Sequence, residues 1–371
     1  MDTALRDDMP LTAARRELKA FYSDLHFVGG EEYGLLGGAV LDSLARFVLR
    51  VRELSFLTSI LASFVLTGIL ALLHVALQAV LAPGAPLLPG AMVMICAIAA
   101  WAGLTVQMGP SLGFPPIADN LPRILIDEAE VASIVAWSRR VFDLRRQLIF
   151  SVAWSSLLFG LTYAYFPLTA PALRGEDRLA FSIMHGIANF FGGNGFYWAI
   201  HYPNLWRQVG SAKLRLSRFN PSATPELQAL GTTANVYVVV ASLLLTAYIV
   251  WLNFVAVPLE TATGSIVSLG MTLLIVVALA YIFLEPHRHL ARAILRQKTE
   301  SARYLEGLLA DALDDEDLPE IDELLRVNAL LELKEKVERT PSTVLSRRSI
   351  RSLFMSLILP VVTFLADIII D

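Results

Sequence analysis

The chain has 371 residues, of which 55% are hydrophobic and only 17% charged, with a mean hydropathy of +0.58. Soluble domains carry about 25% charged residues, so the composition argues against an ordinary soluble domain, and the net charge of −4 gives no global electrostatic case for nucleic-acid binding. The single cysteine, Cys96, sits in an apolar run and excludes an intrachain disulfide and a cysteine metal cluster.

Residues 1–54 are polar and acidic at their start and lack the apolar core and small-residue cleavage site of a signal peptide. Leu11, Leu18 and Leu25 recur every seven residues with Phe21 and Tyr22 between them, which predicts an amphipathic helix. GGEEYGLLGG breaks the pattern. Val40, Leu41, Leu44, Phe47, Val48 and Val51 then lead as a second amphipathic stretch into the first apolar block.

From there the apolar residues are blocked into runs of about 18–25, the length a helix needs to cross the hydrocarbon core. The alternating segments of about ten residues that mark a transmembrane barrel do not occur. Six spans are predicted, at about Phe56–Leu81, Ala91–Met108, Leu148–Phe166, Leu179–Ile200, Ala234–Val257 and Ile266–Leu284. The expected fold is therefore all-α: a polytopic helical membrane protein of six or seven transmembrane helices with a helical cytoplasmic bundle. Its parts are an N-terminal segment (1–54), a membrane domain (55–286), a hairpin (287–348) and a C-terminal apolar helix (349–371).

Lysine and arginine alternate across the connections. Arg46, Arg50 and Arg52 precede the first span, and none follow it in APGAPLLPG. Arg139, Arg140, Arg145 and Arg146 follow the second, and Lys213, Arg215 and Arg218 follow the fourth. The positive-inside bias then puts the N-terminus in the cytoplasm, in a bacterial-type inner or plasma membrane.

Residues 121–147 read as one cytoplasmic helix running into the third span, with Asp127, Glu128 and Glu130 early and the arginines late, an order that suits the helix dipole. Residues 287–340 read as two helices with a break at DALDDEDLPE. Leu290, Ile294, Leu305, Leu308 and Leu309 mark the first apolar face, and Ile321, Leu324, Leu325, Leu331 and Val337 the second. The acidic residues of the break lack the glycine and ligand alternation of a calcium loop. They read as a solvated helix turn, and no metal or cofactor is expected. The final stretch, SLFMSLILPVVTFLADIII, has the length of a seventh span. Pro360 would kink it, which membrane helices tolerate, whereas Asp367 argues for the alternative of a re-entrant or surface-lying helix.

The candidate site is the fourth span. Gly192, Gly193, Asn194 and Gly195 fall near its middle, with His185 and Asn189 on one face of its outer half. Glycine weakens a helix by about 1 kcal/mol relative to alanine, so GGNG invites a local unwinding of the kind transporters use to bind substrate. The competing reading is a close helix contact, with asparagine bonding across it. The aromatic flank FYWAIHYPNLW reads as an interfacial belt. His74 and Gln78, four residues apart near the outer end of the first span, form a second polar pair. His287 and His289 read as interfacial groups at the cytoplasmic mouth of the sixth span.

No Walker, GxSxG or HExxH motif occurs, and no mid-span carboxylate is present. An enzyme is not expected, and ion-coupled secondary transport is disfavoured. The leading expectation is a homo-oligomeric channel or pore in the bilayer, controlled by its cytoplasmic helices, in which Gly193→Leu alters flux without blocking assembly. The alternative is a non-conducting scaffold, signalling component or defence effector that binds a cytoplasmic protein through residues 287–340.

Overall fold

The computed structural model describes residues 12–23, 25, 36, 47, 56–81, 83, 113–169, 175–251, 262–313, 321–343, 351, 354, 358 and 362. The second predicted span, the glycine-rich break apart from Leu36, the second amphipathic stretch apart from Phe47, Cys96, most of the acidic break and nearly all of the C-terminal apolar stretch lie outside them.

The described residues are all-α, with no strand among them. In chain order they form α1 (Ala13–Ser23), α2 (Phe56–Leu81), α3 (Phe114–Ile124), α4 (Glu128–Phe142), α5 (Leu144–Thr169), α6 (Gly175–Ser211), a 3-10 turn at Pro221–Ala223, α7 (Pro225–Trp251), α8 (Ala262–Leu313) and α9 (Ile321–Arg339). The first predicted span coincides with α2. Two stretches of the described residues, Phe64–Leu81 and Leu144–Ala164, are long and apolar enough to cross a bilayer.

The helix predicted over 121–147 is instead three pieces. Leu125 and Ile126 are extended and pair with the loop after α6, where the Ile126 amide donates to the Lys213 carbonyl (3.0 Å) and the Arg215 amide to that of Ile124 (2.6 Å). Asp127 then caps α4 by accepting from the Ala129 amide at 2.8 Å, and Asp143 caps α5 by accepting from the Arg145 amide at 2.8 Å. Within α4 the predicted charge order holds, with Glu128 and Glu130 in its first turn and Arg139 and Arg140 in its last.

One core joins α1, α3, α4, the C-terminal half of α6, the start of α7 and the middle of α8. Leu18, Tyr22 and Leu25 enter it with Phe21 beside them, as the seven-residue repeat predicts. The Tyr22 hydroxyl shares a hydrogen bond with Ser138 (2.8 Å), so its polar end is satisfied inside an otherwise apolar cluster. The aromatic flank of α6 belongs here too. Tyr202 and Trp206 are buried, and Trp198 packs on Phe142 with ring centroids 4.7 Å apart. The expected interfacial belt is thus largely core, because α3, α4 and α7 close over it.

The sixth apolar segment and the first helix of the predicted hairpin are one element. α8 runs unbroken through Pro286 for 52 residues, about 78 Å at 1.5 Å per residue. α9 folds back along it. Lys334 pairs with Glu306 at 2.8 Å. The Lys298 ammonium donates to the carbonyls of Glu338 (3.0 Å) and Thr340 (2.7 Å), satisfying the C-terminus of α9.

Candidate functional site

The predicted site sits on α6, where α5 lies against it in antiparallel sense. The local unwinding that the glycines could allow does not occur, and the helix runs as the close-contact reading has it. α6 is continuously helical through Gly192, Gly193, Asn194 and Gly195. Tertiary contact outweighs the low helix propensity of glycine, because the missing side chains are what let α5 approach. A Cβ at Gly193 would lie 3.0 Å from Ser151 Cα and 3.1 Å from Trp154 Cβ. Seven residues earlier, a Cβ at Gly186 would lie 3.2 Å from Phe159 Cβ. The Ser155 hydroxyl donates to the Gly186 carbonyl at 2.6 Å. Small residues on both helices, Ser151 and Ser155 facing Gly193 and Gly186, make the close helix contact possible. Trp154 and Phe196 stack alongside, 4.4 Å between centroids.

Asn194 is buried and spends its amide on Gln147, donating from Nδ2 to Oε1 at 2.7 Å. The same Oε1 accepts the Leu36 amide at 3.0 Å. The Tyr197 hydroxyl, one turn further on, donates to the Val141 carbonyl at 3.1 Å. These bonds fasten the middle of α6 to the α4–α5 junction. Gln147 was not visible as a partner in the sequence, since 47 residues separate it from Asn194 and no local spacing links them.

His185 lies nearer the N-terminal end of α6, with Nδ1 2.6 Å from the Thr162 hydroxyl of α5. Asn189 donates back to the His185 carbonyl at 2.9 Å, and a Cβ at Gly192 would lie 3.3 Å from its Oδ1. His185 and Asn189 therefore share a face as predicted, and Asn194 bonds elsewhere. His74 and Gln78 are buried on α2, on the face that also carries Ala62, Leu66 and Leu70, and α2 rests on α6. Neither ring nitrogen of His74 has a hydrogen-bond partner among the described residues.

At the other end of α6, the helix meets α8. A Cβ at Gly210 would fall 2.6 Å from both Cβ and the carbonyl oxygen of His289, so only glycine fits there. Arg296 closes the C-terminus of α6 by donating to the carbonyls of Gly210, Ser211 (3.0 Å) and Ala212 (3.3 Å). The two histidines expected at an interface are buried here instead. His287 Nδ1 lies 2.8 Å from the Phe283 carbonyl and donates to it, and its ring stacks on Phe283 at 4.5 Å. Burial holds its pKa below the usual imidazole value. His289 Nε2 meets Glu285 at 2.9 Å. Its pKa is also lowered, chiefly by burial, with the Glu285 carboxylate pulling the other way.

Among the described residues, no group of three or more His, Cys, Asp or Glu side chains is disposed to hold a metal ion. Comparison with known proteins finds no matching family model, no matching curated protein and no matching solved structure.

Proposed function

We propose that the chain is a multi-pass membrane protein with a cytoplasmic N-terminus, and that it works as a membrane-anchored scaffold or signalling component whose α8–α9 hairpin engages a protein partner. The observation that carries the membrane reading is exposure. The apolar windows of α2 and α5 are only 24% and 11% buried, whereas the core helix of a soluble protein is mostly buried. Phe64, Leu72 and Val80 on α2, Ile149 and Leu161 on α5, and Leu273, Leu274 and Val277 on α8 all face outward. Soluble monomers rarely expose apolar patches larger than about 300–600 Å², and a bilayer removes the cost. On α8 the charged residues Glu285, Arg288 and Arg292 follow Leu284, which supports a hydrocarbon boundary near that point.

The scaffold reading is favoured over a pore through α6 by what the glycines do. Gly193 is filled by α5, and Asn194 is committed to Gln147. A second reading, a homo-oligomeric channel, keeps support from the polar side chains His74, Gln78, His185 and Asn189 buried on apolar segments, which are costly at membrane depth. Ion flux from purified protein in liposomes separates the two. The scaffold predicts leak equal to protein-free vesicles. Flux that His185→Phe or Asn194→Ala alters would overturn it in favour of the channel.

A further inference from the structure

The second apolar face of the hairpin does not lie where the sequence expects it. Val337 is buried against α8, and Val327, Leu330 and Lys334 are half-buried on the same side. Leu324, Leu325 and Leu331 instead keep 55%, 63% and 50% of their surface exposed. Leu324 and Leu331 are seven residues apart, with Asn328 four after the first and three before the second, also exposed. Ile321 falls three before Leu324 in the same register. Read as a heptad, Ile321 and Asn328 take a positions, and Leu324 and Leu331 take d positions.

We propose that α9 is a homotypic docking helix, and that its Leu324–Asn328–Leu331 stripe pairs in parallel with the same stripe of a second copy of this chain. A lone asparagine at an a position, flanked by leucine at d, is the device that fixes register and favours two parallel strands, because it bonds to its own counterpart. The direction follows from the fold. α8 is one helix from its apolar half to Leu313, and α9 returns along it. Two copies inserted the same way in a bilayer therefore carry α9 in the same sense about a two-fold axis. Within each protomer Lys334 pairs with Glu306 and Arg339 with Glu335, and Asn328 Nδ2 donates to the exposed Glu332 Oε1 at a long 3.4 Å, a contact that pairing exchanges for the counterpart asparagine. Glu335 and Glu338 occupy the next a and d positions and end the stripe. A seam this short is weak between free helices, and confinement of both copies to one membrane raises its effective concentration. The proposal rests on the membrane reading for that confinement.

The test uses the full chain with Cys96→Ser and single cysteines at 324, 328 or 331, with Ala329→Cys and Lys336→Cys on the far side of α9 as controls. Membranes from expressing cells are oxidised, and disulfide-linked dimer is quantified. The expected result is dimer at 324, 328 and 331 at least tenfold above the controls, lost at 328 when Leu331→Glu is added. Leu331 is half exposed, so that change leaves the fold intact, which circular dichroism checks. Equal or absent cross-linking at the three stripe positions overturns the proposal. So does linkage only between the 324 and 331 variants when mixed, which would mean antiparallel pairing. Fractionation is run alongside: chain recovered in the soluble fraction sinks the membrane reading, whereas chain held in the membrane without cross-links sinks only the docking.

Discussion

Substituting Gly193 with alanine tests whether the glycines of α6 exist for contact with α5. The new Cβ falls 3.0 Å from Ser151 Cα and 3.1 Å from Trp154 Cβ. Carbon pairs rest at about 3.5–4.0 Å, so α5 must withdraw by roughly 0.5 Å, and the atom in the way is backbone. Overpacking of this kind costs about 1–3 kcal/mol, while alanine returns about 1 kcal/mol of helix propensity. The net is a loss of about 0–2 kcal/mol. Gly160, on α5, is the control: a Cβ there meets nothing within 4 Å, so alanine brings the propensity gain of about 1 kcal/mol alone. The two substitutions should differ by about 1–3 kcal/mol, with Gly193→Leu worse than either because its extra carbons have no space. The assay is denaturant titration in detergent, followed by tryptophan fluorescence, to which Trp154 in the contact contributes. Equal midpoint shifts for Gly193→Ala and Gly160→Ala would refute the reasoning and return the glycines to a flexible or conducting role.

Other expectations follow from the same contacts. Asn194→Leu removes the donor to Gln147 and should cost about 1–3 kcal/mol, and a double-mutant cycle with Gln147→Ala should give a coupling above about 0.5 kcal/mol; zero coupling would mean the bond is idle. Arg296→Ala strips three carbonyls at the end of α6 of their donor and should cost about 1–3 kcal/mol in the same titration, with Arg296→Lys recovering part of it. His287 and His289 both have lowered pKa values in the fold. The unfolded chain therefore takes up protons first as pH falls below about 6.5, so these groups favour the fold above that value and that advantage is lost below it. The melting temperature should drop between pH 8 and pH 5, and His287→Phe should make the drop smaller; an unchanged drop would mean that His287 does not contribute to it.

The parts of the fold readable in the sequence are those fixed by local periodicity. Leu18, Phe21, Tyr22 and Leu25 declare α1 because one stripe is all that α1 buries. The apolar block Phe56–Leu81 declares α2, and the acidic-to-basic order declares α4. Hydropathy marks where polarity changes and says little of where a helix stops. That is why α8 runs past Leu284 and through Pro286, its two halves supported by packing on α6 and α7. The reverse error occurs at Leu125–Asp127, where a charge-ordered stretch hides an extended link held by Lys213 and Arg215 from another part of the chain. In the site, Gly192–Gly195 could be picked out as unusual, but whether glycine marks a break or a contact depends on the neighbouring helix. Ser151, Trp154 and Gln147 decide it, and none is near in sequence. On α9, leucines lie on more than one side, so composition alone could not tell which side α8 takes.

The measurement that bears most directly on the account places spin labels at Val152 on the exposed face of α5 and at Glu300 on the C-terminal half of α8, in a Cys96→Ser chain reconstituted in bilayers. Relaxation by oxygen, which concentrates in lipid, is compared with relaxation by a water-soluble nickel complex. The account predicts that the label at 152 responds to oxygen and is shielded from nickel, and that the label at 300 shows the opposite. Equal nickel access at both positions would contradict it, since the apolar face of α5 would then stand in water.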